Sequence, residues 1–416
     1  MSSIPKVIHW WVGSKLHPHY FIIPPERRPK GFYKLTRLYF RTWVVHPLKR
    51  RMARYYLKFL QTFFGLTVIA VTGSTGKTST KEMIHTILAQ KGESTRTAAN
   101  IDPTFNIPST ILKCTPFTKY LVLEMGVEFP GEMDFYLWLA HPKVGIITNI
   151  YQTHTQFFGN LAGVAREKVK LVRVLPQNGF AVLNKENALT RKMGKAIKAK
   201  VIWFGNSAHV RAQKIQITKD LKTRFLLHIN KESIEIELPL LGSQFVDNAL
   251  AAATVGHVFG ANLKEIKKGL ENFETPEHRM RPIKLKNGAI ILDDSYNSNP
   301  AAAKAALETL KKVAGSKKMI VVMGDMLELG KEEIERHKEL GKTISEMSAV
   351  YLIAVGPLAK NIATEGKKAK MTDVWWVGSQ EEVLPVLKPI LAKDSVALVK
   401  GSRSVGLDKL VDRLVI

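Results

Sequence analysis

The sequence predicts an α/β protein built on mostly parallel sheets. From residue 66 onward, short apolar runs alternate with stretches of helical period, which is typical of parallel strands covered by helices on both faces. A second series of strands and helices begins after residue 282. A chain of 416 residues is also long for one hydrophobic core, so we expect two or three domains.

The first series opens with the apolar strand LTVIAV at residues 66–71, followed by a glycine-rich turn and a helix from about Lys77 to Lys91. Further buried strands are predicted for YLVLEMG, VGIITNI, GFAVLN and VIWFG, between residues 120 and 205. Apolar and polar residues then alternate with a period of two over 211–240, which indicates an antiparallel addition to the sheet. An alanine-rich helix is predicted at 246–260.

The segment ENFETPEHRMR at 272–282 marks a domain boundary. Strands are predicted after it for AIILDDSY, MIVVMGD, YLIAVG, TDVWWVG and SVALVKG, with helices at 300–313, 331–347 and 407–414. We therefore predict three parts: a basic aromatic arm at 1–64, a central domain at 65–280 and a C-terminal Rossmann-like α/β domain at 281–416.

Composition favours an ordinary globular protein, with 45% hydrophobic and 24% charged residues. The single cysteine, Cys114, cannot form an intrachain disulfide, so we expect a packed thiol in a reducing compartment. The opening residues have no signal-peptide core, and the sequence has no run of eighteen apolar residues. We therefore expect a cytoplasmic protein, and we expect it to be a monomer.

The formal net charge of +26 is unevenly distributed. Residues 1–64 contain thirteen lysines and arginines against a single acid, Glu26, and this field favours polyanionic partners. Two short helices are predicted in the arm, near 32–45 and 48–63, with aromatic and basic residues interleaved. The pattern fits two alternatives: a helical arm docked on the body, or a surface for a protein partner or the inner face of a membrane.

The strongest local motif is VIAVTGSTGKTSTKEMI at 68–84, a strand followed by a glycine-rich turn and a helix. Its glycines allow backbone N–H groups to close on phosphate oxygens at the positive end of the new helix. Lys77 would bridge the β- and γ-phosphates, and the Thr78 hydroxyl would bind Mg²⁺. The eight-residue P-loop pattern requires glycine where this chain has Val71, so the shorter GxxGKT form is present. The motif predicts a P-loop ATPase domain whose ATP-binding residues are Gly73, Ser74, Thr75, Gly76, Lys77, Thr78 and Ser79.

The loop TGSTGKTS resembles that of the Mur ligases, which build the peptide of bacterial cell-wall precursors. The resemblance covers residues 66–416 and is closest to the members that add D-alanyl-D-alanine. It rests on motifs that occur in the family's order: LEMGVEFPGEMD at 123–134, TNIYQTHTQFFGN at 148–160, AREKVKLV at 165–172, GSQFVDNALAA at 242–252, EHRM at 277–280, LDDSYNSNP at 292–300, GDMLELG at 324–330 and LVKGSRSVGLDKLV at 398–411.

The resemblance implies ATP-dependent amide-bond formation through an acyl-phosphate, assisted by two Mg²⁺ ions. Glu124 and His154 resemble metal ligands that act with Thr78. Lys168 matches the lysine that is carbamylated in this family and then serves as a further metal ligand. Two metal ions held by carboxylate, hydroxyl and imidazole groups would suit phosphoryl transfer, which needs charge neutralisation more than covalent help.

The resemblance also implies roles around ATP and the second substrate. Asn248 corresponds to the residue at the adenine, Arg279 to the arginine at the γ-phosphate and Asp294 to the acid at the ribose. The remaining implied residues are Tyr296 and Asn297 in the ATP-facing turn, and Lys400, Ser402 and Arg403 in the substrate-facing segment. The implied catalytic residues are Lys77, His154, Lys168 and Arg279.

Simpler interpretations stay open for individual residues. His154 could be a hydrogen-bonded loop histidine. Lys168 lies between Arg166 and Lys170 on a basic helix that could be solvated throughout. We expect Glu328 and His337 to brace the C-terminal domain.

The resemblance has one gap, because only about 64 residues precede the P-loop strand, too few for the domain that usually holds the uridine diphosphate end of the precursor. Three explanations are open: the arm binds a nucleotide-sugar or lipid-linked peptide precursor, a partner protein supplies the missing domain, or the substrate differs, as in pseudomurein ligases.

The amine substrate would be an amino acid or a dipeptide. Rival functions are a ligase of the pseudomurein or folylpolyglutamate type and a non-catalytic nucleotide-binding scaffold at the membrane. No nucleic-acid-binding motif accompanies the basic charge, so we expect no nucleic acid partner.

Overall fold

The computed structural model describes residues 5–13, 16–347 and 350–415. The predicted arm and C-terminal domain therefore each include a few positions, among them Lys15 and Ile416, that lie outside the described residues. Within the described ranges the strands form one nine-stranded and one six-stranded sheet, both mostly parallel. The predicted α/β fold class is confirmed.

The arm is helical, with α1 at Lys6–Val12, α2 at Phe32–Phe40 and α3 at His46–Phe64. A π-helical turn, Arg41–Val45, joins α2 directly to α3, so the break predicted between two short helices is wrong. The physical reason is the position of Pro47, which lies in the first turn of α3, where a missing N–H and a fixed φ do no harm.

The central unit follows the predicted alternation of strands and helices. Its strands are β1 (Thr67–Thr72), β2 (Ser94–Arg96), β3 (Tyr120–Glu124), β4 (Val144–Ile147), β5 (Phe180–Asn184), β6 (Lys200–Phe204), β7 (Val210–Ile217), β8 (Thr223–Ile229) and β9 (Glu232–Leu238). Its helices are α4 (Lys77–Leu88), α5 (Pro103–Ile111), α6 (Glu132–Leu139), α7 (Thr155–Phe158), α8 (Leu161–Lys168), α9 (Lys170–Arg173), α10 (Ala188–Met193), α11 (Gln244–Val258) and α12 (Leu263–Glu271).

The sheet of the central unit has the order β2-β3-β1-β4-β5-β6-β7-β8-β9. Its pairs are parallel as far as β7, whereas β8 and β9 are added in antiparallel hairpins, as the period-two pattern of 211–240 predicts. Strand β1 lies between β3 and β4, with Val71 opposite Glu124 and Thr72 opposite Ile147. The three loops that follow these strands therefore meet at one edge of the sheet.

The C-terminal unit contains the second sheet. Its strands are β10 (Arg281–Lys284), β11 (Ile290–Asp294), β12 (Lys318–Gly324), β13 (Val350–Val355), β14 (Val374–Val377) and β15 (Ser395–Lys400). Its helices are α13 (Pro300–Ala314), α14 (Glu333–Ser345), α15 (Lys360–Lys368), α16 (Val383–Ile390) and α17 (Leu407–Val415). The sheet order is β10-β11-β15-β12-β13-β14, with β10 antiparallel to its neighbour and the other pairs parallel.

Apolar packing joins the two sheets and the arm. One core cluster runs without a break from Ile69 in β1, through α4 and α11, to Leu398 in β15. A second cluster covers the opposite face of the central sheet and includes Val12, Leu57 and Leu60 of the arm. The arm is thus docked on the body through one side of helix α3, which packs on α5 and α6.

Polar contacts fix the same docking. Tyr56 donates to the Cys114 carbonyl over 2.8 Å, and the Lys49 ammonium donates to the Ser109 hydroxyl over 2.8 Å. Cys114 is buried, which raises the pKa of its thiol to about 12 and agrees with a packed, unreactive side chain. Among the described helices, none is long and apolar enough to cross a membrane.

Candidate active site

The phosphate loop forms the sharp connection between β1 and α4. Gly73 and Gly76 have φ angles of 150° and 79°, which strain any residue with a side chain. A Cβ atom at Gly76 would overlap the Asn248 amide, and one at Gly73 would overlap the Thr148 hydroxyl. Glycine is therefore required twice over at these two positions, by conformation and by close packing.

The loop after β4 holds the phosphate loop in place. The Asn149 Oδ1 atom accepts from the Thr75 N–H over 2.9 Å, and the Thr148 hydroxyl donates to the Thr75 carbonyl over 2.6 Å. The Ser74 hydroxyl donates to the Tyr151 carbonyl over 2.9 Å. Sequence reasoning assigned no role to Thr148 or Asn149, although both stand at the start of the motif TNIYQTHTQFFGN, directly after a buried strand.

Thr78 and Glu124 meet at the carboxyl edge of the sheet. The Thr78 hydroxyl donates to Glu124 Oε1 over 3.1 Å, because parallel pairing of β1 with β3 brings the end of β3 beside the start of α4. A hydroxyl and a carboxylate in contact are oxygen ligands of the kind that Mg²⁺ prefers. Lys77 donates to the Gly73 carbonyl over 3.2 Å, and burial lowers the pKa of its ammonium group, partly offset by Glu124.

His154 lies at the contact between the two units. Its φ of 54° turns the chain into α7, and its Nδ1 atom is 2.5 Å from Glu328 Oε2. Burial lowers the pKa of His154, while the bond to Glu328 opposes that shift. In the described part of the chain, Glu128, His154 and Glu328 offer ligand atoms within 4.8 Å of one another, a geometry that could hold a metal ion.

The expectation that Glu328 and His337 both brace the C-terminal domain holds only for His337. His337 Nε2 accepts from the Met326 N–H over 2.9 Å, and its Nδ1 lies 2.6 Å from the Glu333 carbonyl. Glu328 instead reaches the central unit through His154, so its placement differs from the expected one. A positive φ of 64° at Glu328 turns its loop toward that histidine.

Lys168 is buried at the end of α8, with 1% of its surface exposed. Arg166 is exposed, and Lys170 forms ion pairs with Asp134 over 2.8 Å and Glu167 over 2.7 Å. The alternative of a helix solvated throughout is therefore wrong at Lys168. Within the described ranges the Lys168 ammonium has no hydrogen bond or ion pair, and burial together with the charge of Lys77 lowers its pKa far below the usual value.

The C-terminal unit contributes the opposite wall of the site. The Arg279 guanidinium lies 4.1 Å from the centre of the Tyr296 ring. Lys400 is buried and donates to Asp294 Oδ2 over 2.6 Å and to the Asn297 carbonyl over 2.9 Å. Because Asp294 and Lys400 are direct neighbours on β11 and β15, this ion pair fixes the turn that carries Tyr296 and Asn297.

Ser402 and Arg403 lie behind this wall. The Ser402 hydroxyl accepts from the Leu327 N–H over 2.9 Å, so it holds the loop that carries Glu328. Arg403 pairs with Asp408 over 3.0 Å and lies 5.3 Å from the Tyr296 ring. Their predicted contact with substrate stays a prediction.

A cavity of about 440 Å³ lies between the two units. The predicted site residues that line it are Ser74, Thr75, Gly76, Lys77, Thr78, Ser79, Glu124, His154, Asn248, Arg279, Asp294, Tyr296, Asn297 and Lys400. The predicted residues outside its lining are Gly73, Lys168, Ser402 and Arg403. The lining also contains residues that sequence reasoning did not single out, among them Tyr20 of the arm and the acids Asp102, Glu128, Glu132 and Asp247.

Fold and site together define a nucleotide-binding enzyme whose phosphate loop faces a second α/β unit across a cleft. The sequence profile of the Mur ligase middle domain matches residues 71–256, and that of the Mur ligase glutamate ligase domain matches residues 278–403. The chain belongs to the Mur ligase family. The predicted family and the predicted class of enzyme, an ATP-dependent ligase, are confirmed.

Known relatives agree with this assignment. The UDP-N-acetylmuramoyl-tripeptide–D-alanyl-D-alanine ligase of Escherichia coli is 34% identical over 354 residues, which cover 83% of this chain and 76% of that enzyme. The crystal structure of MurF from Acinetobacter baumannii superposes with a TM-score of 0.80 at 30% identity, covering 88% of this chain and 80% of that one. The Thermotoga maritima MurF complex with ADP has the same fold, with a TM-score of 0.78 at 24% identity and coverage of 88% and 82%.

Gly76→Ala should weaken ATP binding by at least about tenfold, because the new Cβ would push Asn248 and the loop apart at a backbone angle that alanine resists. Isothermal titration with ATP and Mg²⁺ measures the affinity. Gly65→Ala is the matched control, since Gly65 also has a positive φ, of 68°, but open space around it. Equal affinities of the two variants would contradict the assigned role of the loop.

Proposed function

We propose that this chain joins D-alanyl-D-alanine to a UDP-linked muramoyl tripeptide, with ATP converting the peptide carboxylate to an acyl-phosphate. The observation that carries the proposal is the convergence of Lys77, Thr78, Glu124 and Arg279 on one cavity between two units. Phosphoryl transfer depends on neutralising and orienting charge, and this cavity supplies cations and oxygen ligands at fixed positions. The choice of substrates follows from the similarity to the UDP-N-acetylmuramoyl-tripeptide–D-alanyl-D-alanine ligase of Escherichia coli.

The residues present fit the Mg²⁺ ions expected for such a reaction. Thr78 and Glu124 already contact each other, and His154 presents a ring nitrogen to two further carboxylates. Bound Mg²⁺ would neutralise charge on the γ-phosphate and on the attacking carboxylate. We propose Thr78, Glu124, His154 and a carbamylated Lys168 as its ligands.

The protein's own groups would carry the remaining steps. Lys77 would hold the transferred phosphate, and Arg279 would face it from the C-terminal unit. The amine of the dipeptide would attack the acyl carbon, and phosphate would leave as the amide forms. The cavity between the two units would shield the acyl-phosphate from water, which would otherwise hydrolyse it.

Carbamylation of Lys168 is supported by its surroundings. A lysine reacts with carbon dioxide only as the neutral amine, and burial favours that form by lowering the pKa of Lys168. The resulting carbamate would be an anionic oxygen donor in place of a buried cation. The neutral form is present above the lowered pKa and is lost as the pH falls through it.

The arm supplies a candidate site for the UDP end of the precursor. Tyr20 lines the cavity and donates to Glu132 over 2.6 Å, so this part of the arm reaches the cleft. The exposed side chains of Arg27 and Arg28 follow on the same segment, and Arg27 is 3.2 Å from His19. Guanidinium groups match diphosphate oxygens well. We propose that this segment holds the diphosphate.

We also propose that the chain works in the cytoplasm.

The wild-type chain should release ADP only when a UDP-linked tripeptide and D-alanyl-D-alanine are both present. Lys77→Ala should lower this turnover by about 10²–10³-fold, because the charge on the transferred phosphate loses its partner. A coupled ADP assay and mass spectrometry of the product measure both effects. Nucleotide binding without turnover on any acid and amine pair would favour the non-catalytic scaffold.

Lys168→Ala should abolish turnover, and added short carboxylic acids should restore part of it by placing an oxygen ligand in the vacated space. Lys170→Ala is the matched control, because Lys170 lies two residues away but is half-buried and paired with Asp134 and Glu167. Turnover that is indifferent to Lys168→Ala, or rescue that is equal in both variants, would contradict the carbamate.

Arg27→Ala combined with Arg28→Ala should raise the KM for the UDP-linked precursor by about tenfold and leave kcat nearly unchanged, because the lost contacts bind ground state and transition state equally. Lys34→Ala with Arg37→Ala on α2 is the charge-matched control. An unchanged KM in the first variant, or the same rise in both, would remove the diphosphate site from the arm.

A further inference from the structure

Helix α2 is amphipathic but has no buried side chain. Phe32, Tyr33 and Phe40 are 87%, 76% and 57% exposed, although aromatic residues of this size are usually covered in a folded protein. At 100° per residue, Phe32 lies about 140° from Arg37, whereas Tyr33 and Phe40 lie only about 40° and 60° from it. The exposed side of the helix therefore carries aromatic and basic side chains together, whereas Leu35, Leu38 and Tyr39 on the other side are partly buried.

Helix α3 has a second uncovered stripe. Its inner side, with Ala53, Leu57 and Leu60, is buried against the body. Its outer side exposes Leu48, Met52, Tyr55, Phe59 and Phe63, which fall within an arc of about 80° at 100° per residue. The two sets of exposed side chains lie along one continuous helical rod, which is about 50 Å long from residue 32 to residue 64 at 1.5 Å per residue.

Exposed apolar and basic side chains are concentrated in the arm. Among the described residues, 13 of the 20 exposed large hydrophobic side chains precede residue 65, so the apolar surface is specific to the arm rather than scattered over the protein. The sequence has no aspartate or glutamate between residues 27 and 64. The exposed basic side chains in this stretch are Arg27, Arg28, Lys30, Lys34, Arg37, Arg41 and Lys58.

We propose that α2 and the outer side of α3, here called the docking face, bind the surface of an anionic membrane. Aromatic and aliphatic side chains would enter the headgroup boundary while lysine and arginine side chains contact anionic lipids, the combination that defines an interfacial helix. A nucleic acid would use the charges but leave the apolar stripe in water. An acidic protein partner would need a matching groove about 50 Å long, whereas a lipid surface needs no matching shape.

The proposal is independent of the ligase reaction. The docking face belongs to residues 32–64, whereas the cleft is lined from the arm by Tyr20. Vesicle binding and ligase turnover can therefore be measured separately, and failure of one leaves the other standing.

The test is flotation of the full chain with vesicles of phosphatidylcholine containing about one-third phosphatidylglycerol, beside vesicles of phosphatidylcholine alone. The full chain should float with the anionic vesicles, at least about tenfold more than with the neutral ones, and the difference should shrink as salt screens the charges. Phe32→Ala with Tyr33→Ala and Phe40→Ala should lower binding by about tenfold.

The control variant removes three exposed apolar side chains elsewhere, Phe117→Ala with Val174→Ala and Ile215→Ala. Its vesicle binding should equal that of the wild type, and both triple variants should keep the circular dichroism spectrum and melting temperature of the wild type, which shows that they fold. Absence of binding to anionic vesicles, equal binding to neutral ones, or wild-type binding by the α2 variant would overturn the proposal.

Discussion

The parallel pairing of β1 with β3 and β4 is the constraint on which the site depends. These three central strands end at one edge, and their register places the phosphate loop, Glu124 and the loop of residues 148–154 in contact. A shift of β3 by one residue would turn Glu124 to the other face of the sheet. The strands are apolar on both sides, so burial by α4 and α11 on one face and α5 and α6 on the other holds that register.

Charged side chains are also grouped at the cleft, with cations on one side and carboxylates on the other. Lys77 and Arg279 face each other from different units, and Lys168 is buried near Lys77, whose positive charge is only partly offset at Lys168 by Glu167 and Glu132. Burial lowers the pKa values of both Lys77 and Lys168, and the positive charge of a neighbouring cation, Arg279 for Lys77 and Lys77 for Lys168, lowers them further. On the other side, Glu128 and Glu328 share the surroundings of His154, and burial raises the pKa of Glu128. The negative charge of a bound triphosphate would offset the lysine and arginine charges, and the cations that accompany it would offset the glutamate charges.

Sequence reasoning recovered the features that are encoded locally. The strand, the two required glycines and the helix of the phosphate loop are contiguous, so their pattern predicted the structure directly. The bond between His154 and Glu328 joins residues 174 positions apart and depends on how two units pack, which no local pattern contains. The burial of Lys168 was equally hidden, because its neighbours Arg166 and Lys170 are basic and the helix alone gave no sign of which one points inward.

The docking of the arm has a consequence for synthesis. Val12, Leu16 and Leu57 are covered by side chains of the central unit, such as Phe135 of α6, which the ribosome adds later. At typical elongation rates, the roughly 75 residues between the end of the arm and the end of α6 take about 4–15 s to translate. Throughout that interval the nascent arm displays both its future inner side and its outer aromatic side. A newly made chain therefore exposes an apolar, strongly cationic segment to chaperones and other cellular surfaces before the central unit that covers it has been synthesised.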